Sequence, residues 1–269
     1  MSSPEHRAYL RRLRLQRVAV LGAQLLLLAV VLLLWEAAAD RYWVNPMLTS
    51  KPTKVWETLV RLAGTGTLWR HLGVTLQETL VGFAAGLVLG VGTAVALWWW
   101  APLERVLDPY LVVLNALPKV ALGPIFYVWL GDRISIYGMA VAISVVVTIV
   151  MVEVAFRSVD PAKILLLQTL GATRRQVLQK VVFPASLPTL LAALKVNIGL
   201  TLVGVVVGEF IASKAGLGYL IVYGGQVFQM ELVMTGVVVL VAISAALYLA
   251  VSWLEAVVTR RFHLRPKDA

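Results

Sequence analysis

Residues 156–182 have the sequence FRSVDPAKILLLQTLGATRRQVLQKVV, and they form the one long polar and basic interruption of an otherwise hydrophobic chain. Apolar runs long enough to cross a membrane precede and follow this segment. A polar segment between two such runs is expected to lie outside the bilayer, where its side chains are free to contact another protein. The segment therefore predicts a membrane protein with an exposed docking element.

The first half of the segment predicts a helix that begins after Asp160 and runs to Leu170. The Asp160 carboxylate accepts free backbone N–H groups at a helix start, and Pro161 suits the first helical position because its φ is already helical. Gly171 is expected to end the helix, because glycine takes the left-handed conformation without steric cost.

A second short helix is predicted to follow Gly171. Thr173 and Gln176 have the spacing of a capping box, in which two side chains and two backbone N–H groups bond reciprocally. The basic residues that this helix would carry are Arg174, Arg175 and Lys180. The whole segment is thus predicted to form a helix, a glycine turn and a helix.

The first of these helices carries four leucines with two alternative environments. Amphipathic helices commonly insert such side chains into a groove on a partner protein. Alternatively, the leucines pack back on the same chain or lie in the lipid interface, and chemistry alone favours neither. The four are Leu165, Leu166, Leu167 and Leu170.

Composition places most of the chain in a membrane. Sixty per cent of its 269 residues are hydrophobic and the mean hydropathy is +0.85, well above a soluble domain. Cysteine is absent and only three histidines occur, which argues against disulfides, thiolate metal sites and a histidine-rich metal centre. The basic residues behind the net charge of +10 lie beside hydrophobic runs, a pattern that favours anionic lipid headgroups over nucleic acid.

Six apolar segments predict six membrane-spanning helices, and hence an all-α polytopic membrane protein. The predicted spans are 17–39, 72–100, 106–130 (broken by Pro118 and Pro124), 134–155, 181–211 and 232–258. With the N-terminus in the cytosol, 15 of the 24 Lys and Arg residues lie in cytosolic parts and 7 in outer loops. This excess predicts that both termini lie in the cytosol.

The spans divide the chain into parts. The predicted parts are a basic cytosolic tail (1–16), a first span (17–39), a periplasmic segment with a short amphipathic helix (40–71), a core of five spans that includes the loop 156–182 (72–258), and a cytosolic tail (259–269). The first apolar run is too long for a signal-peptide core and is expected to remain as an anchor. The triplet Trp98-Trp99-Trp100 is expected to mark a membrane–water boundary and to bind no ligand.

The segment 156–182 resembles the cytosolic loop of the inner-membrane permeases of binding-protein-dependent ABC importers. The family pattern is Glu-Ala-Ala, three residues, Gly, nine residues, Ile, one residue and Leu-Pro. Here Gly171 is followed by nine residues and then by Val181-Val182-Phe183-Pro184. Leu165-Leu166-Leu167 stands in place of Glu-Ala-Ala, so the resemblance implies a more hydrophobic partner groove than the usual acidic contact.

Two further blocks extend the resemblance over roughly residues 45–262, and they are similar to the nitrate, sulfonate and taurine branch. They are LPKVALGP at 117–124, with WLG at 129–131, and VGEF at 207–210, with GLGYLI at 216–221. The resemblance implies the type I importer permease fold in a bacterial inner membrane, with six transmembrane helices and a coupling-helix loop between helices 4 and 5. It leaves the solute open among nitrate, sulfonates, taurine, bicarbonate and vitamin or pyrimidine precursors.

The sequence contains no Gly-x-x-x-x-Gly-Lys-Ser/Thr motif, so ATP and Mg²⁺ are expected on a partner subunit and no cofactor on this chain. The chain is accordingly expected to be non-catalytic. The resemblance implies ABC ATPase subunits, an extracytoplasmic solute-binding protein and a second permease copy, identical or different, as partners. The ATPase-docking residues that it implies are Asp160, Leu165, Leu166, Leu167, Leu170, Gly171, Ala172, Thr173, Arg174 and Pro184.

Polar groups within the predicted spans are candidates for the translocation path. Charged groups at membrane depth usually face a cavity or a partner, so Lys119 and Lys195 would attract an anionic solute. Alternatively, they pair with Glu209 or Glu153 or extend to an interface, and the uncharged candidates could equally join helices. The path candidates are Asn115, Pro118, Lys119, Lys195, Asn197, Thr201 and Glu209.

Two other functions fit parts of the pattern. A self-contained secondary transporter or channel would also use broken spans and buried lysines, but it predicts internal repeats, and no convincing two-fold repeat is present. A membrane-embedded enzyme would need clustered carboxylates, histidine pairs or a serine–lysine dyad at one depth. Only Ser144 or Ser186 with a lysine approaches that requirement.

Overall fold

The computed structural model describes residues 4–261, and these residues form helices joined by turns, without a strand among them. The helices are α1 (Pro4–Asp40), α2 (Pro46–Thr49), α3 (Pro52–Gly64), α4 (Thr67–Trp99), α5 (Ala101–Ala116), α6 (Gly123–Arg157), α7 (Pro161–Thr169), α8 (Arg174–Val177), α9 (Phe183–Ala212), α10 (Leu217–Gln226) and α11 (Met230–Arg261). A 3-10 turn, Lys119–Leu122, precedes α6, and a π-helical turn, Leu178–Val182, joins α8 to α9. Residues 1–3 and 262–269 of the two predicted tails lie outside the described residues.

Five helical stretches in the described part of the chain are long and apolar enough to cross a membrane. They are Val18–Asp40, Thr67–Trp99, Lys119–Arg157, Arg174–Ala212 and Met230–Arg261. The all-α membrane fold predicted from the sequence is thereby confirmed. The stretch Lys119–Arg157 has 39 residues. As one straight helix it would be about 58 Å long, roughly twice the thickness of a bilayer core.

The long helix α6 reverses its direction at Gly131. This residue has φ +74° and ψ −179°, a conformation that an L side chain rarely adopts. A Cβ built on Gly138 would lie 3.0 Å from Leu130 Cδ1 and 3.6 Å from Phe126 Cδ1. In a straight helix, Phe126 and Gly138 would be about 18 Å apart. The parts of α6 before and after Gly131 therefore lie side by side.

The third predicted span is consequently a broken helix. It consists of α5, the 3-10 turn and the first part of α6, and it runs antiparallel to the second part of α6. Leu107 and Leu111 of α5 pack with Val145 and Ile149 in one hydrophobic cluster. The break lies at Pro118, because a proline forces the preceding residue into extended backbone. This hairpin divides the 39-residue stretch Lys119–Arg157 between the third and the fourth of the six predicted spans.

Helices α4, α6 and α9 form the centre of the bundle through close contacts at glycines. A Cβ built on Gly82 would lie 2.7 Å from Ala140 Cβ, and one on Gly204 would lie 2.7 Å from Ala140 Cα. A Cβ on Gly208 would lie 2.8 Å from Ile136 Cα. Small residues allow membrane helices to approach until their backbones are in van der Waals contact. These contacts determine how closely α4, α6 and α9 pack and how they are placed relative to one another.

Helix α1 stands apart from this centre, with most of its described apolar side chains exposed. Its C-terminal end is attached to the start of α3. The Glu36 carboxylate accepts hydrogen bonds from Thr53 N at 3.0 Å and Thr53 Oγ1 at 2.7 Å, and Lys51 Nζ donates to Asp40 Oδ1 at 2.9 Å. Because α1 already begins at Pro4, the predicted boundary between tail and span is not a helix boundary.

The amphipathic helix predicted within residues 40–71 corresponds to α3. It buries Val55 and Thr58 and exposes Trp56, whose side chain suits a headgroup region. Thr235 of α11 donates to the Val55 carbonyl at 3.3 Å. The buried face of α3 therefore packs on the last membrane helix.

Candidate functional site

The segment between α6 and α9 forms the predicted capped helix α7. Asp160 Oδ1 accepts the Ala162 N–H at 2.9 Å at its start. At its end Gly171 has φ +80° and donates to Gln168 O at 3.0 Å, while Ala172 N donates to Leu167 O at 2.9 Å. These two bonds are those of a Schellman motif. The helix start at Asp160 and the glycine stop are therefore confirmed.

The second predicted helix also has its predicted cap, but it is not a separate short helix. Thr173 and Gln176 form the capping box, with Thr173 N donating to Gln176 Oε1 at 2.8 Å. Helix α8 then continues through the π-helical turn into α9, so that Arg174–Ala212 is one helical stretch of 39 residues. Pro184 is exposed and lies just after the π-helical turn. Because the continuous stretch begins at Arg174, the helix that contains the predicted span 181–211 begins before residue 181.

The three leucines of α7 and its C-cap residue, Leu170, differ in their exposure. Leu165, Leu166 and Leu170 expose 61%, 58% and 77% of their surface. Leu167 and Ile164 instead pack against the core of the same chain. The exposed leucines form an apolar patch on a helix whose two ends are both capped.

Arg174 is engaged within the chain. Its Nη2 donates to the Trp98 carbonyl at 3.0 Å, and its guanidinium lies 5.3 Å from the Trp98 ring centroid and 6.0 Å from that of Trp99. The contact differs from the expected role of Arg174 in ATPase docking. It also gives two members of the tryptophan triplet a partner that the sequence did not predict.

The path candidates of the third span lie at its break. Lys119 is half-buried in the 3-10 turn, and its Nζ donates to the Asn115 carbonyl at 3.1 Å. Pro118 and the Asn115 side chain are exposed. Lys119 uses one of its three N–H donors in this bond, which leaves donors available to a solute.

Lys195 forms an ion pair with Glu255 of α11, and its Nζ lies 5.8 Å from the Tyr248 ring centroid. The predicted partners Glu209 and Glu153 are therefore wrong. The reason is that α11 packs on α9 in this region and brings Glu255 within reach. An ion pair between two helices accounts for this lysine without a solute.

Asn197 and Thr201 are buried on one face of α9. Thr201 Oγ1 donates to the Asn197 carbonyl at 2.8 Å, a bond within the same helix. The Asn197 side-chain amide is buried without a hydrogen-bond partner among residues 4–261. Of the two, Asn197 keeps an unused donor and acceptor.

Glu209 is buried and holds the first turn of α10. Its Oε1 accepts from Thr75 Oγ1 at 2.6 Å and its Oε2 from Gly218 N at 2.5 Å. Thr75 Oγ1 in turn accepts from Leu217 N at 2.8 Å, and His71 Nδ1 accepts from Gly216 N at 2.9 Å. The free N–H groups at the start of α10 are thus satisfied by side chains of α4 and α9.

Sequence analysis did not single out His71 or Thr75. Both lie on α4 four residues apart, so they share one helix face. Polar residues at this spacing within an apolar span are the signal that could have identified them. Glu78, one turn further, lies beside Glu209 and borders a cleft. The other charged residues of this cleft are Asp132, Arg133 and Lys214.

A glycine-packed centre of α4, α6 and α9 and five helical stretches long and apolar enough to cross a membrane define an all-α multi-pass membrane protein. Residues 82–264 match the family described as "Binding-protein-dependent transport system inner membrane component". The chain belongs to this family, and the predicted resemblance is confirmed.

Relatives named as ABC transporter permeases cover most of the chain. A probable ABC transporter permease protein of Haemophilus influenzae is 31% identical over 236 residues, which are 86% of this chain and 94% of that one. The taurine transport system permease protein TauC of Escherichia coli is 28% identical over 85% of both chains. The riboflavin transport system permease protein RibX of Chloroflexus aurantiacus is 30% identical over 87% of both.

Solved structures of ABC importers share the fold. An inward-facing structure of the MetNI methionine ABC transporter has a TM-score of 0.61 at 22% identity and covers 69% of this chain and 93% of its own. The crystal structure of an amino acid ABC transporter with histidines has a TM-score of 0.58 at 19% identity and covers 76% and 97%. The chain is thus a multi-pass, non-catalytic permease subunit of an ABC transporter, in which a partner ATPase hydrolyses ATP.

Proposed function

We propose that this permease forms the translocation path for a small polar or anionic solute and docks its ATPase through the exposed face of α7. The observation that carries the docking proposal is the patch of Leu165, Leu166 and Leu170. About 60% or more of each side chain is exposed although the helix is capped at both ends. A patch of this kind on an ordered helix suits an apolar groove of a partner protein.

The proposed solute class rests on the relatives. Their names include taurine, aliphatic sulfonates, formylaminopyrimidine and riboflavin, which are small polar compounds; the aliphatic sulfonates are anionic, and taurine carries a sulfonate group beside its ammonium group. Lys119, at the break of the third crossing, is the basic group of the described chain that best suits such an anion. A separate solute-binding protein would deliver the solute to the outer side.

The proposed arrangement is a pair of permease chains, each with one ATPase on its α7. Both chain termini and α7 lie in the cytosol, as the distribution of basic residues predicts. Closure of the two ATPases on ATP would move α7 together with α6 and α9, its covalent neighbours. This motion would expose the path alternately to the two sides of an inner membrane.

Transport assays distinguish this proposal from a self-contained transporter. The complex that purifies through a tag on this chain is reconstituted in liposomes with its binding protein, and uptake of labelled taurine, an alkanesulfonate and riboflavin is measured. We expect one of these solutes to be taken up. Its uptake should require ATP and should continue in the presence of ionophores that collapse ion gradients. Uptake driven by an ion gradient in the absence of ATP would contradict the proposal.

A further inference from the structure

Two arginines border the loop that contains α7, and both bind the same neighbouring part of the chain. Arg157 is the last residue of α6, and Arg174 is the first residue of α8. The part that they bind is the end of α4 and the start of α5, residues 98–104, here called the α4–α5 corner. The corner is not connected to the α7 loop by adjacent sequence, so side-chain contacts join the two.

The contact at Arg174 combines three interactions with the corner. The guanidinium donates to the Trp98 carbonyl at 3.0 Å and lies against the rings of Trp98 and Trp99. The Trp98 ring also packs against the core cluster that contains Val177 of α8. A planar guanidinium suits this place, because it stacks on an aromatic ring while its edge donates hydrogen bonds.

The contact at Arg157 is an ion pair with two partners. Its Nη2 contacts Glu104 of α5, and lies 2.7 Å from Glu153 Oε1 one turn earlier on α6. The Glu104 and Glu153 side chains are 23% and 12% exposed, whereas the Arg157 side chain is 57% exposed. Arg157 thereby joins the base of α5 to the residue from which the α7 loop departs.

We propose that Arg157 and Arg174 make the α4–α5 corner a part of the unit that the ATPase moves. The inference rests on the proposed function and adds the route by which motion of α7 reaches α4 and α5. Because α5 leads to the break at Pro118, a displacement of the corner reaches the segment that carries Lys119. Arg174 is thus a positioning residue that faces the permease core, and the apolar patch of α7 makes the ATPase contact.

The test separates docking from coupling in the reconstituted complex. The variants are Arg174→Gln and Trp98→Leu, with Arg175→Gln as the matched control, because Arg175 is exposed and makes no ion pair or ring contact among the described residues. We expect the ATPase to co-purify with all variants. Arg174→Gln and Trp98→Leu should lower the solute transported per ATP hydrolysed by about fivefold or more, the scale of a typical coupling between sites.

Further variants exclude a merely structural effect. Trp98→Phe keeps an aromatic face and should retain most of the solute transported per ATP hydrolysed. The double variant Arg174→Gln with Trp98→Leu should lower this ratio no further than either single change does, because both changes remove the same contact. If Arg174→Gln fails to reach the membrane, Trp98→Leu and Trp98→Phe carry the same comparison. If Arg174→Gln and Trp98→Leu both keep the solute transported per ATP hydrolysed within twofold of wild type, the inference is overturned. Absence of any ATPase from the wild-type complex would instead contradict the proposed function.

Discussion

The buried Glu209 carboxylate of α9 accepts a hydrogen bond from the Thr75 hydroxyl of α4 at 2.6 Å, directly beneath the first turn of α10. The same carboxylate binds the Gly218 N–H. Two membrane helices are therefore joined by the residue that also caps a third. His71 and Thr75 of α4 accept the Gly216 and Leu217 N–H groups at the start of the short helix α10, so its position depends on this network.

Removal of the Glu209 carboxylate should loosen this part of the bundle. Glu209→Ala leaves the Thr75 hydroxyl and the Gly218 N–H without their partner, and each loss costs about 1–3 kcal/mol. We expect a lower thermal unfolding midpoint of the purified chain in detergent, and a smaller decrease for Glu209→Gln. Glu57→Ala, on α3, is the control. An unchanged midpoint for Glu209→Ala would contradict the capping role.

Gly216 should tolerate no side chain, for two separate reasons. Its φ is +116°, and a Cβ there would collide with the Glu209 carboxylate. Gly66 has φ +78° with nothing within 4 Å of such a Cβ, so Gly66→Ala measures backbone strain alone, about 1–2 kcal/mol. Unfolding midpoints should fall clearly further for Gly216→Ala than for Gly66→Ala. Equal decreases of the unfolding midpoint in the two variants would mean that a Cβ at residue 216 does not collide with the Glu209 carboxylate.

Substitution of Gly171 tests whether the Schellman turn presents the α7 patch. A β-branched residue is disfavoured at φ +80°, whereas asparagine tolerates left-handed backbone. Gly171→Val should abolish ATPase co-purification, and Gly171→Asn should largely preserve it. Gly66→Val introduces comparable strain far from the loop and should not affect ATPase binding. Full retention of the ATPase by Gly171→Val would contradict the docking role of the turn.

The two lysines of the predicted spans should behave differently. Lys119→Met should weaken transport of an anionic solute while assembly and basal ATP hydrolysis stay intact. Lys195→Met should instead destabilise the chain, because it leaves Glu255 without its partner, and the double change Lys195→Met with Glu255→Met should recover stability. Transport rates and unfolding midpoints of the three variants provide the check. If the stable double variant Lys195→Met with Glu255→Met is defective in transport, Lys195 lines the translocation path.

Local signals in the sequence predicted the caps of α7 and α8, because a cap depends on residues only a few positions apart. The division of the leucines was not predictable in this way, since Leu167 meets a core that is assembled from distant helices. The reversal at Gly131 was predicted, because the predicted spans 106–130 and 134–155 leave only residues 131–133 between them. The close packing of Gly138 on Leu130 and Phe126 was not predicted, because it depends on how the two helices lie against each other.

The partners of Arg174 and Glu209 depend on contacts between residues far apart in the chain. Arg174 meets Trp98 76 positions away, and Glu209 meets Thr75 134 positions away. Each residue was identified as important because of its type and its place near a motif. Its contact could not be deduced, because one sequence carries no record of which helices are neighbours.

The exposed leucines of α7 are proposed to hold the ATPase. The most direct measurement of this contact is the amount of ATPase that co-purifies with a tagged chain from native membranes, compared between wild type and the double variant Leu165→Glu with Leu166→Glu. The exposed Leu48 on α2, changed to Glu, is the control for a charge on an apolar surface. We expect the ATPase to co-purify with wild type and Leu48→Glu, and its amount to fall at least about tenfold with the double variant, as for the truncation of a hot spot. Equal ATPase recovery in the double variant, with the chain folded, would contradict this contact.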